Sequence, residues 1–308
     1  MKSLSIGESL VDIFVNFNDE KIVHVIGGAP LNCAVVYALD KDNESTLITD
    51  FGSDFHGNEI NKFLASLKVK VINKVNKNFT TKAIVKKNKD KSVEFKFIYK
   101  DDNDSAYKHN IKVDEYDLIN FVSAFYLSDD NLYTKIYSPL LKSAIKENKK
   151  IVFDPNYRDD AWGGKSSFFQ RSLDFIKNAD LIKLKDSDLQ ILQEQASLLG
   201  IDKDIKKFIK KNSVLINTKS NKDIEIYYND QNFYFKNEIE ERIIDSAGAG
   251  DILLSSISNK FFKEKKVSID KIVEFTKDAL VEVKQSLSSV GAIGFLEQAS
   301  WIDNKIQF

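Results

Sequence analysis

Short apolar runs alternate along this chain with longer stretches in which apolar residues recur every three or four positions. Leu4-Ser5-Ile6 and the runs at 46–51, 150–154, 180–184 and 213–218 read as buried strands. Helices are expected from Pro30 to Leu39, Gly57 to Leu67, Leu132 to Glu147, Ser166 to Lys177, Asp186 to Gln195, Ala249 to Phe262 and Ile269 to Leu287. In the last, Ile269, Ile272, Val273, Thr276, Leu280, Val283 and Leu287 fall on one helical face. Strands alternating with helices predict an α/β fold with a mostly parallel sheet covered on both faces.

Two regions break this rhythm. Residues 11–26 read as a hairpin around Asn18-Asp19-Glu20, and residues 82–99 as a second turning near Asn88-Lys89-Asp90. Four extra strands imply a small accessory sheet over one end of the core. Val93, Phe95, Phe97 and Tyr99 share one face of the second hairpin. That apolar face is expected either to bury itself against a second subunit, giving a homodimer, or to pack on the main domain.

Composition narrows the classes. The 308 residues, 43% hydrophobic, suffice for one large domain or two small ones, and a single domain spanning 1–308 is expected. The net charge of −1 argues against nucleic acid and against a polybasic membrane contact. The single cysteine, Cys33, excludes an intrachain disulfide and a thiolate zinc site. The start, MKSLSIGESLVDIFV, lacks a signal-peptide pattern and no run has the length of a membrane span, so a cytoplasmic location is expected.

Candidate chemistry gathers in three places. Asp245-Ser246-Ala247-Gly248-Ala249-Gly250-Asp251 precedes a helix. Small residues at a helix start can present backbone N–H groups to phosphate, and a carboxylate there can deprotonate a hydroxyl. The plain alternative is a tight turn with Asp251 as helix cap. Ile26-Gly27-Gly28-Ala29-Pro30-Leu31-Asn32 could let a ligand approach the backbone, with the Asn32 amide facing a polyol, or be only a strand-to-helix turn. Asp12, in an apolar run, is either a buried acid wanting hydroxyl partners or a water-facing residue of simple alternation. Phe153-Asp154-Pro155-Asn156-Tyr157-Arg158 ends a strand, where Arg158 could meet a sugar, carboxylate or phosphate, or lie on the surface. Gly163-Gly164-Lys165-Ser166 lacks the earlier glycine of a P-loop and reads as a helix start. His24, His56 and His109 form no catalytic pattern.

In order, these pieces resemble the ribokinase/PfkB family of carbohydrate kinases. Residues 26–34 resemble its first signature, Gly52-Ser53-Asp54-Phe55-His56-Gly57 its G-x-D-x-x-G element, and residues 245–251 its D-x-x-G-A-G-D signature. The match runs from Ile6-Gly7-Glu8 to Gly291-Ala292, so it covers nearly the whole chain. The resemblance implies a three-layer α/β/α fold with a β-sheet lid formed by 11–26 and 82–99, and pairing through that lid. It implies ATP and Mg2+ as cofactors, with a monovalent cation such as K+. Asp251 would be the catalytic base and Gly248, Ala249 and Gly250 the anion hole. Asp12, Gly28, Asn32 and Arg158 would hold the sugar. Lys185, Thr218 and Ser220 would face the nucleotide, and Asp188 and Asp245 a metal.

The chain departs from the pattern on the nucleotide side. The family's N-x-x-E, which acts near magnesium and phosphate, becomes Lys185-Asp186-Ser187-Asp188. Its T-x-G-x-x-G becomes Thr218-Lys219-Ser220-Asn221-Lys222-Asp223, without either glycine, and Leu253 and Ser256 replace a common Phe and Gly. The expected reaction is ATP-dependent phosphorylation of a sugar primary hydroxyl, with fructose the leading substrate. The alternatives are 2-keto-3-deoxygluconate, whose carboxylate Arg158 would pair, and a catalytically silent sugar-binding regulator.

Overall fold

The computed structural model describes the chain except residues 17–20, 77–78, 88–92, 99–110, 163, 220–222, 237–242, 265 and 304–308. Both expected hairpin turns, Tyr99 and Ser220 thus lie outside the described residues. Two sheets organise the rest. The larger has nine strands: β1 (Lys2–Ile6), β4 (Glu44–Gly52), β5 (Lys70–Asn76), β8 (Leu118–Phe121), β9 (Lys150–Phe153), β10 (Leu181–Lys185), β11 (Val214–Thr218), β12 (Ile224–Tyr228) and β13 (Gln231–Phe235). Their spatial order is β13-β12-β11-β10-β9-β8-β1-β4-β5, all parallel except the β12–β13 hairpin at one edge.

Helices cover both faces, as the alternation predicts. On one side lie α1 (Ala29–Leu39), α2 (Phe55–Ser66), α8 (Ala249–Phe261) and α9 (Ile269–Leu287). On the other lie α3 (Ala124–Ser128), α4 (Asp130–Leu132), α5 (Ser138–Lys146), α6 (Lys165–Ile176) and α7 (Asp186–Leu198). The α9 boundaries follow from the sequence. The Ser268 hydroxyl caps its first turn by accepting from the Lys271 N–H at 3.3 Å, and Ile272, Val273, Ala279, Val283 and Leu287 form its buried stripe.

The single helix expected over 132–147 is divided. A π-helical turn, Tyr133–Tyr137, joins α4 to α5, and the Ser138 N–H reaches back to Tyr133 O. Pro139 has no N–H to continue the regular ladder, so the backbone slips by one residue there. The Gly-Lys-Ser segment is the start of α6, as read from the sequence.

The smaller sheet holds β2 (Leu10–Asn16), β3 (Lys21–Gly27), β6 (Thr81–Lys87) and β7 (Val93–Ile98), the strands of the two expected hairpins. They join through a parallel β2–β6 pairing. A fifth strand, β14 (Ser300–Asp303), adds itself to β3 from the far end of the chain. Of the four residues expected on one lid face, the described side chain is that of Phe97. It is half-buried and meets Phe125 of α3 edge-on, with ring centroids 5.3 Å apart. Phe97 thus packs at least in part within its own chain.

Candidate functional site

The chain leaves β1 in both directions across the large sheet, toward β4 on one side and β8 on the other. Such a switch opens a crevice at the carboxyl ends of the strands. Glu8, Ser123 and Asp154 stand just beyond the ends of β1, β8 and β9, and Lys183 lies within β10, two residues before its end. The start of α8 comes down onto the same crevice. Its preceding residue, Gly248, has φ of 68°, and a Cβ there would lie 2.0 Å from the Ala292 Cβ.

Asp251 is the third residue of α8 and is buried. Its Oδ2 accepts from Asn32 Nδ2 at 2.9 Å. Burial pushes its carboxyl above the ordinary aspartate range, while the Asn32 bond and the Lys183 charge pull the other way. The Asn32 amide oxygen, also buried, has no protein partner and remains available to a hydroxyl. Of the first-turn N–H groups of α8, that of Ala249 donates to Ser246 O at 3.4 Å; those of Gly250 and Asp251 have no intrahelical acceptor, and the macrodipole adds positive potential.

Two clefts meet at this turn. A polar one of about 630 Å³ is lined by Glu8, Asp12, Asn32, Arg158 and Asp251, among others. An apolar one of about 460 Å³ is lined by Thr218, Ile224, Leu253, Leu280, Val283 and other residues. Lys183, Lys185, Ser246 and Gly250 line both. A group passing from one cleft to the other passes these four.

Lys183 is a functional candidate absent from the sequence reading. Its Nζ donates to Asp154 Oδ2 at 2.5 Å inside the protein. Burial, the largest single influence, would lower its pKa, but the Asp154 charge and hydrogen bond, with the charges of Asp251 and Asp188, together raise it. The ammonium lies 2.7 Å from where a Gly250 Cβ would be, so Gly250 is required for this close approach. Lys185 follows two residues later on the same strand face, its Nζ 3.4 Å from Asn156 Oδ1. Burial first, then the charges of Arg158 and Lys183, bring its pKa down to about 8.

Glu8 is the second residue whose part the sequence left unassigned. Its buried carboxylate accepts from the Ser123 hydroxyl, and desolvation pushes its pKa up to about 7. Asp12 is half-buried and lines the same cleft, and burial with the Asp245 charge raises it to about 7 as well. Its Oδ2 occupies the space a Gly27 side chain would take. Gly28, at φ 111°, lies too close to Glu8 O for any Cβ, at 2.6 Å. The paired glycines thus serve packing of the cleft wall as well as ligand access. Arg158 lines the cleft, with Nη1 donating to Tyr157 O at 3.2 Å. Phe97 and Phe125 close the cleft from the lid side.

The two expected metal ligands each also hold backbone N–H groups. Asp245 accepts from the Ala247 N–H at 3.1 Å and the Gly291 N–H at 2.8 Å, which fixes the signature loop. Asp188 is buried, accepts from the Lys185 N–H at 3.3 Å at the start of α7, and has its pKa raised by burial and then by Asp154. Among the described residues no group of three or more His, Cys, Asp or Glu is placed to hold an ion. The described residues thus offer no preformed protein cage for a divalent ion. Thr218 lines the apolar cleft, and beyond it the Lys219 N–H donates to Asp223 O at 2.8 Å. In the G-x-D-x-x-G element, Asp54 caps α2 through the Gly57 N–H at 2.9 Å and holds the Thr80 N–H at 3.0 Å. Its work is structural, tying α2 to the entry of β6.

The pfkB family carbohydrate kinase profile matches residues 3–275. An ATP-dependent 6-phosphofructokinase of Thermoanaerobacterium thermosaccharolyticum is 24% identical over 275 residues, 84% of this chain and 81% of its own. Among solved structures, a fructokinase with bound ATP from Xylella fastidiosa superposes with a TM-score of 0.77 at 19% identity, covering 96% of this chain and 94% of that one. A Vibrio cholerae fructokinase in fructose-, ADP- and calcium-bound form gives 0.76 at 17% identity, covering 96% and 95%. The fold, the glycine turn and the paired clefts agree with the family match over most of the chain, and we conclude that this protein belongs to the pfkB family of carbohydrate kinases.

Proposed function

We propose that this sugar kinase phosphorylates a neutral ketohexose, with fructose the leading substrate, at a primary hydroxyl. The observation that carries the reading is the junction at Gly250, where a polar cleft holding Asp251 opens onto an apolar cleft suited to an adenine ring. In the polar cleft the sugar lies against Asp12, Asn32 and Gly28, with the Asn32 amide oxygen accepting one of its hydroxyls. Asn32 Nδ2 fixes the Asp251 carboxylate so that its other oxygen can take the proton of the attacking hydroxyl. Its raised pKa makes it a stronger base than an exposed aspartate. The N–H groups at Gly248, Ala249 and Gly250 receive the charge on the transferring phosphoryl group. Thr218 stands in the nucleotide cleft.

Away from Lys183 and Lys185 at the passage, the charge of the polar cleft supports a neutral acceptor. Arg158 is answered by Asp12, and Glu8 adds a further carboxyl to the wall. A sugar acid or sugar phosphate would bring its anion against these groups. The relatives support the same choice in part: two of the solved neighbours are fructokinases. A side-by-side activity screen of fructose, 2-keto-3-deoxygluconate and fructose 6-phosphate tests the reading. It predicts the highest kcat/KM for fructose, and a clear preference for either anion contradicts it.

Pairing of two chains through the lid is part of the same proposal. Among the described residues β7 and β14 are the edge strands of the smaller sheet, and they carry the surface proposed to pair. Light scattering at micromolar concentration should report a dimer, and a monomer contradicts the pairing.

A further inference from the structure

Two lysines stand at the passage between the clefts, and their charges are handled differently. Lys183 is neutralised by Asp154 at 2.5 Å and held beneath Gly250. Lys185 has as its nearest polar partner the neutral Asn156 oxygen, at 3.4 Å. Its closest charged neighbours include the cations Arg158 and Lys183, and Asp188 turns its carboxylate to the Lys185 backbone N–H. Asp188 and Asp154 also act on it, but among the described residues no carboxylate makes an ion pair with this half-buried ammonium, which opens on both clefts and so favours an anion beside it. The nearby carboxylates of Asp188 and Asp245 each accept from backbone N–H groups rather than from the Lys185 ammonium.

We propose that Lys185 binds the phosphate chain of ATP directly and supplies there positive charge that a divalent ion otherwise provides, so that this protein binds ATP in the absence of divalent metal. The inference rests on the reading of the apolar cleft as the nucleotide site and adds the ligand chemistry of its phosphate end. An ammonium on a phosphate oxygen makes a short charge-assisted hydrogen bond, and the position of Lys185 on β10 fixes its approach from the end of a rigid central strand. Lys183 adds charge from behind but, being paired, is not the group expected to respond to the nucleotide.

Titration calorimetry of the full chain with ATP in excess EDTA, and with ATP plus Mg2+, tests this. The wild-type protein should bind ATP in both, with less than about a tenfold difference in Kd. Lys185→Gln should weaken metal-free ATP binding by about tenfold or more while changing Mg-ATP binding less, and Lys185→Arg should restore metal-free binding. Fructose binding, measured on the same samples, should stay within about threefold of wild type and so report an intact site. Wild-type binding that requires Mg2+, or equal loss of both forms in Lys185→Gln, overturns the proposal and leaves the nucleotide reading standing. An absence of ATP binding under both conditions, with fructose bound, overturns the nucleotide reading as well.

Discussion

The Lys183 ammonium and the Asp154 carboxylate form a 2.5 Å ion pair with 2% and 1% of their side chains exposed, directly under the turn that carries Gly250. The pair follows from strand register. Phe153 is opposite Ile182 in the β9–β10 ladder, and one residue further places Asp154 beside Lys183. A pair this deep costs both ions their hydration, so it is weak evidence for stability and better explained by work at the site.

That distinction can be measured. Lys183→Met leaves Asp154 buried and unpaired, and should destabilise the fold by about 3–5 kcal/mol in denaturant titration. The double variant Lys183→Met with Asp154→Leu removes both charges and should recover most of that stability. Turnover should stay at least about a hundredfold below wild type in the double variant, because the cation near the transferring group is gone. Recovery of turnover together with stability would make the pair purely structural.

Glu8 and Asp12 give the protein a pH signature. Both are acids whose folded pKa is about 7, above their values in the unfolded chain. Between about pH 4 and 7 the native state therefore binds more protons than the unfolded one, and stability falls as pH rises. Their contribution is full below the unfolded values and lost as pH passes through 7. The melting temperature should drop between pH 5 and pH 8, and Glu8→Gln should flatten the slope. A melting temperature that rises across this range contradicts the placement of both carboxyls.

Gly248 and Gly200 separate backbone strain from steric fit. Both have φ of 68°, but a Cβ at Gly200 would meet nothing within 4 Å, whereas one at Gly248 would strike Ala292. Gly200→Ala should cost about 1–2 kcal/mol, the left-handed penalty alone, and leave turnover unchanged. Gly248→Ala should cost about 1–3 kcal/mol more and lower turnover as the loop shifts. Equal costs in thermal or chemical unfolding would remove the case for a tightly fitted turn.

How far the chain could be read before folding depends on where each signal lives. The α9 boundaries were legible because a serine cap and an unbroken apolar stripe coincide. The strands β5, β12 and β13 were not, since they mix Lys, Asn and Glu with apolar residues near sheet edges. β14 is only four residues long, and its partner β3 lies at the opposite end of the chain. At the site, Gly248, Ala249, Gly250 and Asp251 form one contiguous run, and the family resemblance names it. Lys183 hides inside an apolar strand, and its importance comes from pairing with a residue 29 positions away. Glu8 was visible only as part of a Gly-Glu pair, because its burial depends on Ser123, 115 positions on.

The most direct test of the account is the turnover of Asp251→Asn with the sugar substrate and ATP, measured beside sugar affinity on the same protein. Asparagine keeps an oxygen for the Asn32 Nδ2 contact and removes the proton acceptor. The account predicts a loss in kcat of about a thousandfold, within the span attributed to general-base catalysis, with the sugar Kd changed by less than about threefold. A variant that turns over within about tenfold of the wild-type rate would contradict Asp251 as the base.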